Sequence, residues 1–230
     1  MLAKAWSASL EGLDASPVEV EVDISGGLPA VTVVGLPDAA VKESRERVKS
    51  AVANSHYKFP NRRITINLAP ADLRKEGAAY DLAMAVGLLA AEGAAELVRL
   101  EEFLLFGELA LDGALRPVRG VLPAALCARQ KGLKGIVVPP ECAAEAAVVD
   151  GVEVYSPKNL AEAVGFLSGK LPLDRRRVDL AAIMGQSLAC AGDLADVKGQ
   201  AAAKRALAIA AAGGHNLLMM CHVCRAGHLP

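Results

Sequence analysis

The sequence is poor in aromatic residues and carries almost no net charge. Phe, Trp and Tyr make up 3% of its 230 residues, although hydrophobic residues as a group make up 53%. Ala, Val and Leu must therefore fill the core, a composition that suits helices packed on a sheet. The 25 basic and 26 acidic residues leave a net charge of −1. This balance excludes a global field that would draw the chain to nucleic acid or to an anionic membrane, so any such contact must be local.

Long apolar runs and a disulfide framework are also missing. A membrane-spanning helix needs about 20 apolar residues, and charged residues interrupt the two most apolar stretches: Asp81 and Glu92 in one, Lys204 and Arg205 in the other. The N-terminus lacks the apolar core of a signal peptide. The five cysteines show no disulfide spacing. We therefore expect a cytoplasmic protein with no membrane contact.

Residues 1–168 are predicted to form one α+β domain. Strict alternation over residues 18–24 predicts a half-buried strand, and further strands are predicted at 30–34, 64–68, 103–109, 135–138 and 152–155. Helices are predicted from the Gly35–Asp38 motif to residue 53, and at 79–91, 121–131, 140–147 and 159–168. The hairpin signal Asp112-Gly113 argues against a simple doubly wound sheet. The charged face of the first helix is interpreted as a solvated surface.

Residues 169–192 are predicted to be a linker, and a new element begins at residue 193. The linker contains the basic triplet Arg175, Arg176 and Arg177, which could contact nucleic acid but is interpreted as solvated. Beyond it, the sequence predicts a helix over 200–212, ended by Gly213 and Gly214, and then a buried strand over 215–220. We expect residues beyond about 190 to pack poorly, because the predicted helix and strand have no sheet to join.

Three separated blocks, in order, resemble one family. The first is Gly35–Asp38 with residues 43–47, the second is 64–73 with 75–77, and the third runs from 196–200 through 203–207 to 213–218. Over residues 1–220 the chain thus resembles the YifB/ComM family of magnesium-chelatase-like AAA+ ATPases. The resemblance implies a Lon-protease-like fold for the N-terminal domain and a hexameric motor that uses ATP and Mg²⁺. ComM-type members are DNA helicases that promote branch migration during natural transformation, which implies a regulatory or assembly role for this domain.

The sequence departs from the family after residue 220. A Walker A loop, whose backbone amides, Lys and Ser or Thr bind phosphate and Mg²⁺, should follow, but residues 221–230 contain neither Lys, Ser nor Thr. Residues 193–230 are therefore interpreted as the truncated start of an AAA+ domain, from a frameshift or premature stop. We expect this chain alone to be catalytically inactive and to bind no cofactor. Val197, Gly199 and Gln200 are weak candidates for contacts to the adenine side of ATP.

The Lon resemblance raises the question of a Ser–Lys peptidase. Ala79 lies where the Lon nucleophile would be, and Leu122 lies where the dyad Lys would be. Neither side chain can do the chemistry, so a peptidase is disfavoured. Lys75, close to the empty site, is interpreted as an exposed loop lysine.

Other candidate ligands are interpreted as structural. Cys221, Cys224 and His228 have a spacing that could bind zinc, but a fourth ligand is missing and no metal site is expected. His56 and His215 have no evident acidic partner, and Cys127, Cys142 and Cys190 are interpreted as small apolar fillers.

A second functional hypothesis stays open: a stand-alone interaction module that modulates hexamers of intact relatives. The sequence alone demonstrates no direct nucleic-acid contact, and DNA enters only as a partner of the longer proteins in the family.

Overall fold

The computed structural model describes residues 1–178 and 193–220, which belong to two compact units that divide after Val178. The first unit is built on a seven-stranded sheet and a separate two-stranded hairpin. Their strands are β1 (Leu2–Glu11), β2 (Asp14–Ser25), β3 (Ala30–Val34), β4 (Arg63–Ala69), β5 (Phe103–Leu105), β6 (Glu108–Leu109), β7 (Leu115–Arg116), β8 (Gly135–Val137) and β9 (Glu153–Tyr155).

The large sheet is mixed. Its order is β3-β4-β2-β1-β5-β8-β9, and β6 pairs with β7 in the hairpin. Strand β2 runs antiparallel to β1 and β4, whereas the other four pairs are parallel. A mostly parallel sheet that also contains a long antiparallel hairpin confirms the predicted α+β class.

Five helices belong to the first unit: α1 (Ala39–Asn54), α2 (Asp81–Glu92), α3 (Val121–Gln130), α4 (Ala143–Ala146) and α5 (Leu160–Leu167). Short 3-10 turns occur at Leu100–Glu102 and Pro140–Cys142. One apolar cluster joins α1, α2 and α5 to inward-facing residues of β2 and β4. A second cluster joins α3 and α4 to β5, β8 and β9. The helices therefore form two layers, one on either side of the sheet.

Local sequence chemistry explains where these elements begin. Asp38 caps α1 by accepting a hydrogen bond from the backbone N–H of Val41 at 2.7 Å, and Asn159 caps α5 by accepting from Glu162 at 2.9 Å. The predicted stripe Val41, Val48 and Val52 is buried. Burial of ten of the twelve residues of α2 confirms that this helix is central.

The strands of the first unit differ from the prediction in two places. The ten-residue strand β1 was not predicted, yet it lies in the middle of the sheet, paired along its length with β2. The single strand predicted over 103–109 is divided into β5 and β6. The division occurs because Gly107 leaves the sheet and bonds to the start of α2 instead, donating to the carbonyl of Ala79 at 2.9 Å and accepting from Leu82 at 3.1 Å.

The two edges of the large sheet differ. At the β9 edge, the backbone N–H of Arg176 donates to the carbonyl of Val154 at 2.9 Å, so part of the predicted linker is docked on the sheet. At the β3 edge, Val34 is 41% exposed, and no described strand pairs with the outer side of β3.

The second unit contains a 3-10 turn (Leu194–Asp196) and a helix, α6 (Ala201–Gly213), which ends at the left-handed Gly214. The strand predicted over 215–220 is wrong, because these residues adopt no regular structure and find no strand to pair with in the described part of the chain. No residue between 193 and 220 is buried. Cys190, Cys221, Cys224 and His228 lie outside the described residues. Across both described ranges, no helix is long and apolar enough to cross a membrane.

Candidate functional site

The candidate site lies where α2 begins, beneath the loop that connects β4 to α2. Ala79 is half-buried against the second apolar cluster, which includes Val121 and Ala124 from the start of α3. The position of the expected nucleophile therefore packs against a cluster to which α3, the helix expected to carry the dyad lysine, also contributes. The side chain there is a methyl group, which can neither attack a carbonyl nor exchange a proton.

Leu122 occupies the other expected dyad position, in the first turn of α3. Its side chain is partly exposed, and its backbone N–H donates to the carboxylate of Glu145 at 3.0 Å. Both expected dyad positions thus carry aliphatic side chains.

Lys75 is fully buried, so the prediction of an exposed loop lysine was wrong. Its ammonium donates to the backbone carbonyls of Pro70 and Leu73, the latter at 2.8 Å. The loop therefore wraps around its own lysine, and the ammonium satisfies carbonyls that the turn would otherwise leave unpaired. Burial lowers the pKa of Lys75, and the charge of nearby Asp72 opposes that shift.

The same loop is fastened to the turn between β3 and α1. The backbone of Lys75 accepts from Asp38 at 3.0 Å and donates to Leu36 at 3.3 Å. The second carboxylate oxygen of Asp38 accepts from the backbone of Gly77 at 3.3 Å. Gly35 is required at this turn, because its φ is +99° and an added Cβ would lie 2.1 Å from the carbonyl oxygen of Leu68. The Gly35–Asp38 motif therefore fixes the position of the loop that contains Lys75.

A buried ion pair fixes the start of α2 from the opposite side. Arg47 contacts Asp81 through two hydrogen bonds, Nε to Oδ2 at 2.8 Å and Nη2 to Oδ1 at 3.2 Å. Arg47 also donates to the hydroxyl of Ser44 at 2.7 Å, and Asp81 accepts from the backbone of Leu109 at 3.3 Å. Burial raises the pKa of Asp81, while the bonds from Arg47 and Ser44 hold it down. Arg47 is thus an exception to the solvated face predicted for α1.

Strand β1 adds buried hydroxyl groups. Ser9 Oγ donates to the carbonyl of Arg74 at 2.9 Å. Burial raises the pKa of Tyr80 to about 12, although a hydrogen bond with Ser9 opposes the shift. Ser7 Oγ is buried and has no hydrogen-bond partner among the described residues. These serines were missed because β1 was not predicted; the alternation of small residues at positions 3, 5, 7 and 9 was the available signal.

The remaining candidate residues that the structure describes are mostly exposed. Val197, Gly199 and Gln200 lie in the second unit, all exposed, where Gly199 and Gln200 have φ values of +68° and +55° ahead of α6. Cys127 and Cys142 are buried free thiols, as predicted. His56 and His215 are exposed. Within the described ranges no group of three or more His, Cys, Asp and Glu residues could hold a metal ion.

Comparison with known proteins identifies the class. Residues 20–142 match the family model described as subunit ChlI of Mg-chelatase, and residues 193–226 match a second model, described as magnesium chelatase, subunit ChlI. The chain is also 26% identical over 137 residues to Lon protease 2 of Bacillus subtilis, covering 59% of this chain and 24% of that protein. The first unit is therefore a ChlI-type domain with a Lon-like fold.

Closer relatives define the family within that class. The chain is 45% identical over 223 residues to the competence protein ComM of Haemophilus influenzae, covering 95% of this chain and 43% of that protein. It is 47% identical over 209 residues to the uncharacterized protein YifB of Escherichia coli, covering 91% of this chain and 40% of that protein. The chain belongs to the YifB/ComM family of magnesium-chelatase-like proteins, and it spans less than half the length of these relatives.

Proposed function

We propose that the first unit is a non-proteolytic regulatory or assembly domain of a ComM/YifB-type ATPase. This proposal is supported by the aliphatic side chains of Ala79 and Leu122, which stand where the resemblance leads us to expect a Ser–Lys dyad, within a Lon-like fold. Buried Lys75 and the Arg47–Asp81 pair hold the loop and helix around those positions. A domain that keeps the fold but lacks the expected nucleophile and base is better suited to a structural role, such as assembling or regulating other parts of the protein.

The longer protein is proposed to be an ATP-driven DNA branch-migration helicase that acts in natural transformation and works as a hexamer in the cytoplasm. Support comes from similarity to a competence protein over nearly the whole of this chain. ATP and Mg²⁺ are the proposed cofactors of that longer protein, with Val197, Gly199 and Gln200 on the adenine side.

A domain exchange tests this role. Residues 1–178 would replace the corresponding part of ComM in Haemophilus influenzae, and transformation frequency would be measured beside a strain that lacks ComM. We expect the chimera to restore transformation and expect an Asp38→Ala chimera, which loosens the loop over the site, to restore less. A chimera that accumulates as folded protein but gives no transformants would refute the proposed role.

Peptidase activity is tested separately. We expect this chain to give no turnover of a fluorogenic casein, because no nucleophile lies at residue 79. Turnover that persists after substitution of Ser7 and Ser9 to Ala would overturn the non-proteolytic assignment, since it would show a nucleophile elsewhere.

A further inference from the structure

The basic triplet is held against the sheet rather than left free. The backbone N–H of Arg176 donates to Val154 at 2.9 Å, and the Arg176 Nε donates to the hydroxyl of Ser156 at 3.2 Å. Arg175 Nη2 donates to the carbonyl of Val152 at 3.3 Å. The segment is thus held against β9 by one backbone hydrogen bond and two side-chain hydrogen bonds. Fixing the backbone in advance lowers the entropy lost when a ligand binds to these side chains.

Two cavities flank this strip, and all three arginines line both. The larger has a volume of about 530 Å³ and also includes Ser156, Lys158, Glu162 and Asp174 in its wall. The smaller has a volume of about 220 Å³ and lies against Val149 and Asp150.

Carboxylates share both cavities with these cations: Glu162 and Asp174 line the larger cavity and Asp150 lines the smaller. Among residues 1–178 and 193–220, no carboxylate lies within ion-pair distance of Lys158 or of any arginine of the triplet. Glu162 is already engaged, because its carboxylate accepts from the backbone N–H of Lys158 at 2.8 Å. Arg45 on α1, by contrast, is paired with Glu46 at 3.1 Å.

We propose that Lys158, Arg175, Arg176 and Arg177, here called the arginine strip, bind the phosphate backbone of a nucleic-acid strand. Guanidinium groups match phosphate oxygens in pairs, and three consecutive arginines that line two separate cavities suit a chain of phosphates better than one phosphate. No aromatic side chain lines either cavity, so base stacking is not offered and the contact is independent of sequence. This inference adds a DNA contact in the first unit to the proposed function.

Salt dependence provides the test. Binding of a fluorescent oligothymidylate to the full chain would be measured by anisotropy across a range of salt concentrations, without ATP. Each phosphate contact contributes about 0.7 to the slope of log affinity against log salt for single strands, so four contacts predict a slope of about 3 in magnitude. The triple variant R175Q/R176Q/R177Q should lower the slope by about 2 and the affinity at low salt by at least about tenfold. Lys158→Gln removes one cation and leaves residues 175–177 unchanged, so it should lower the slope by about 0.7.

A matched control carries the same change of charge. K42Q/R45Q/K49Q removes three cations from the exposed face of α1, where Glu43 and Glu46 lie between them, and should change affinity less than about twofold. Equal losses in both triple variants, or no loss in the strip variant, would overturn the proposal. Displacement of the oligonucleotide by ATP or inorganic phosphate, at concentrations that saturate a single site, would also overturn the proposal in favour of a small phosphate ligand. Displacement by polyglutamate would show non-specific attraction to anions and would overturn it as well. Because the assay omits the motor and transformation, its outcome is independent of the domain exchange.

Discussion

The Arg47–Asp81 pair allows a quantitative test of what holds the start of α2. Asp81 is fully buried, whereas the side chain of Arg47 is 23% exposed. Removing one partner of a buried ion pair costs about 3–5 kcal/mol, since the other charge is left unpaired. In Asp81→Ala the stranded arginine can reach water, so we expect the lower end, about 3 kcal/mol. That figure includes the lost bond to Leu109, worth about 1 kcal/mol.

Arg47→Met should behave differently because it strands the fully buried carboxylate. Asp81 then escapes part of the cost by taking up a proton, which its burial already favours. Its folded pKa would rise further above the unfolded value, so the folded state binds more protons than the unfolded state and stability falls as pH rises through that window. We therefore expect Arg47→Met to be clearly more stable at mildly acidic pH than at mildly alkaline pH, relative to the unsubstituted chain.

The assay is equilibrium urea unfolding monitored by the fluorescence of Trp6, the only tryptophan, which lies in β1. The double variant Arg47→Met with Asp81→Leu replaces the ion pair by an apolar pair and should recover most of the loss, because the desolvation of both charges is avoided. A loss below about 1 kcal/mol for Asp81→Ala, together with a flat pH profile for Arg47→Met, would refute the view that this pair organises the start of α2.

Three further outcomes are expected from the same unfolding assay. Burial lowers the pKa of Lys75 below 10.5, so between the lowered pKa and 10.5 the unfolded chain binds more protons than the folded chain. The free energy of unfolding should therefore rise with pH in that window. Lys75→Met should lack this rise, and parallel profiles of unfolding free energy against pH for the two proteins would contradict the assignment. Gly35→Ala should lower the free energy of unfolding by at least about 3 kcal/mol, because the positive φ and the clash with Leu68 add up. Gly12→Ala has a positive φ but open space around the new Cβ, so it should lower the free energy of unfolding by about 1 kcal/mol. Equal losses in the two variants would argue against the clash. Asn159→Ala should cost about 1 kcal/mol by removing the cap of α5, and an unchanged midpoint would show that the cap is dispensable.

Features with a strong local pattern were predictable from the sequence. Strand β2 shows strict alternation, α1 follows a capping aspartate, and α5 follows a capping asparagine, so their positions needed no knowledge of the fold. Strand β1 escaped prediction because its alternation is carried by Ala and Ser, whose small side chains give weak contrast between the buried and exposed faces.

The candidate site was predictable only in part. The aliphatic residues at positions 79 and 122 follow from the family resemblance, because they are read position by position along the chain. The burial of Lys75 does not follow from the resemblance, because it depends on carbonyl groups within a folded loop and on a turn more than thirty residues earlier in the sequence. Arg47 and Asp81 likewise lie on two different helices and are 34 residues apart in the sequence. A helical wheel of α1 alone shows Arg47 only as part of a charged face.

The unequal edges of the large sheet limit how this domain can self-associate. Strand β3 is short, contains no charged residue and carries half-exposed valines, and such edges readily pair with other strands. The opposite edge is bridged by the arginine strip at Val154. Among the described residues only the β3 edge lacks a partner, so strand pairing between copies through β3 would join them around a two-fold axis and leave no free edge for a third. Pairing of this kind therefore stops at a closed dimer, and continuous fibril growth through the sheet would first require the arginine strip to detach from β9.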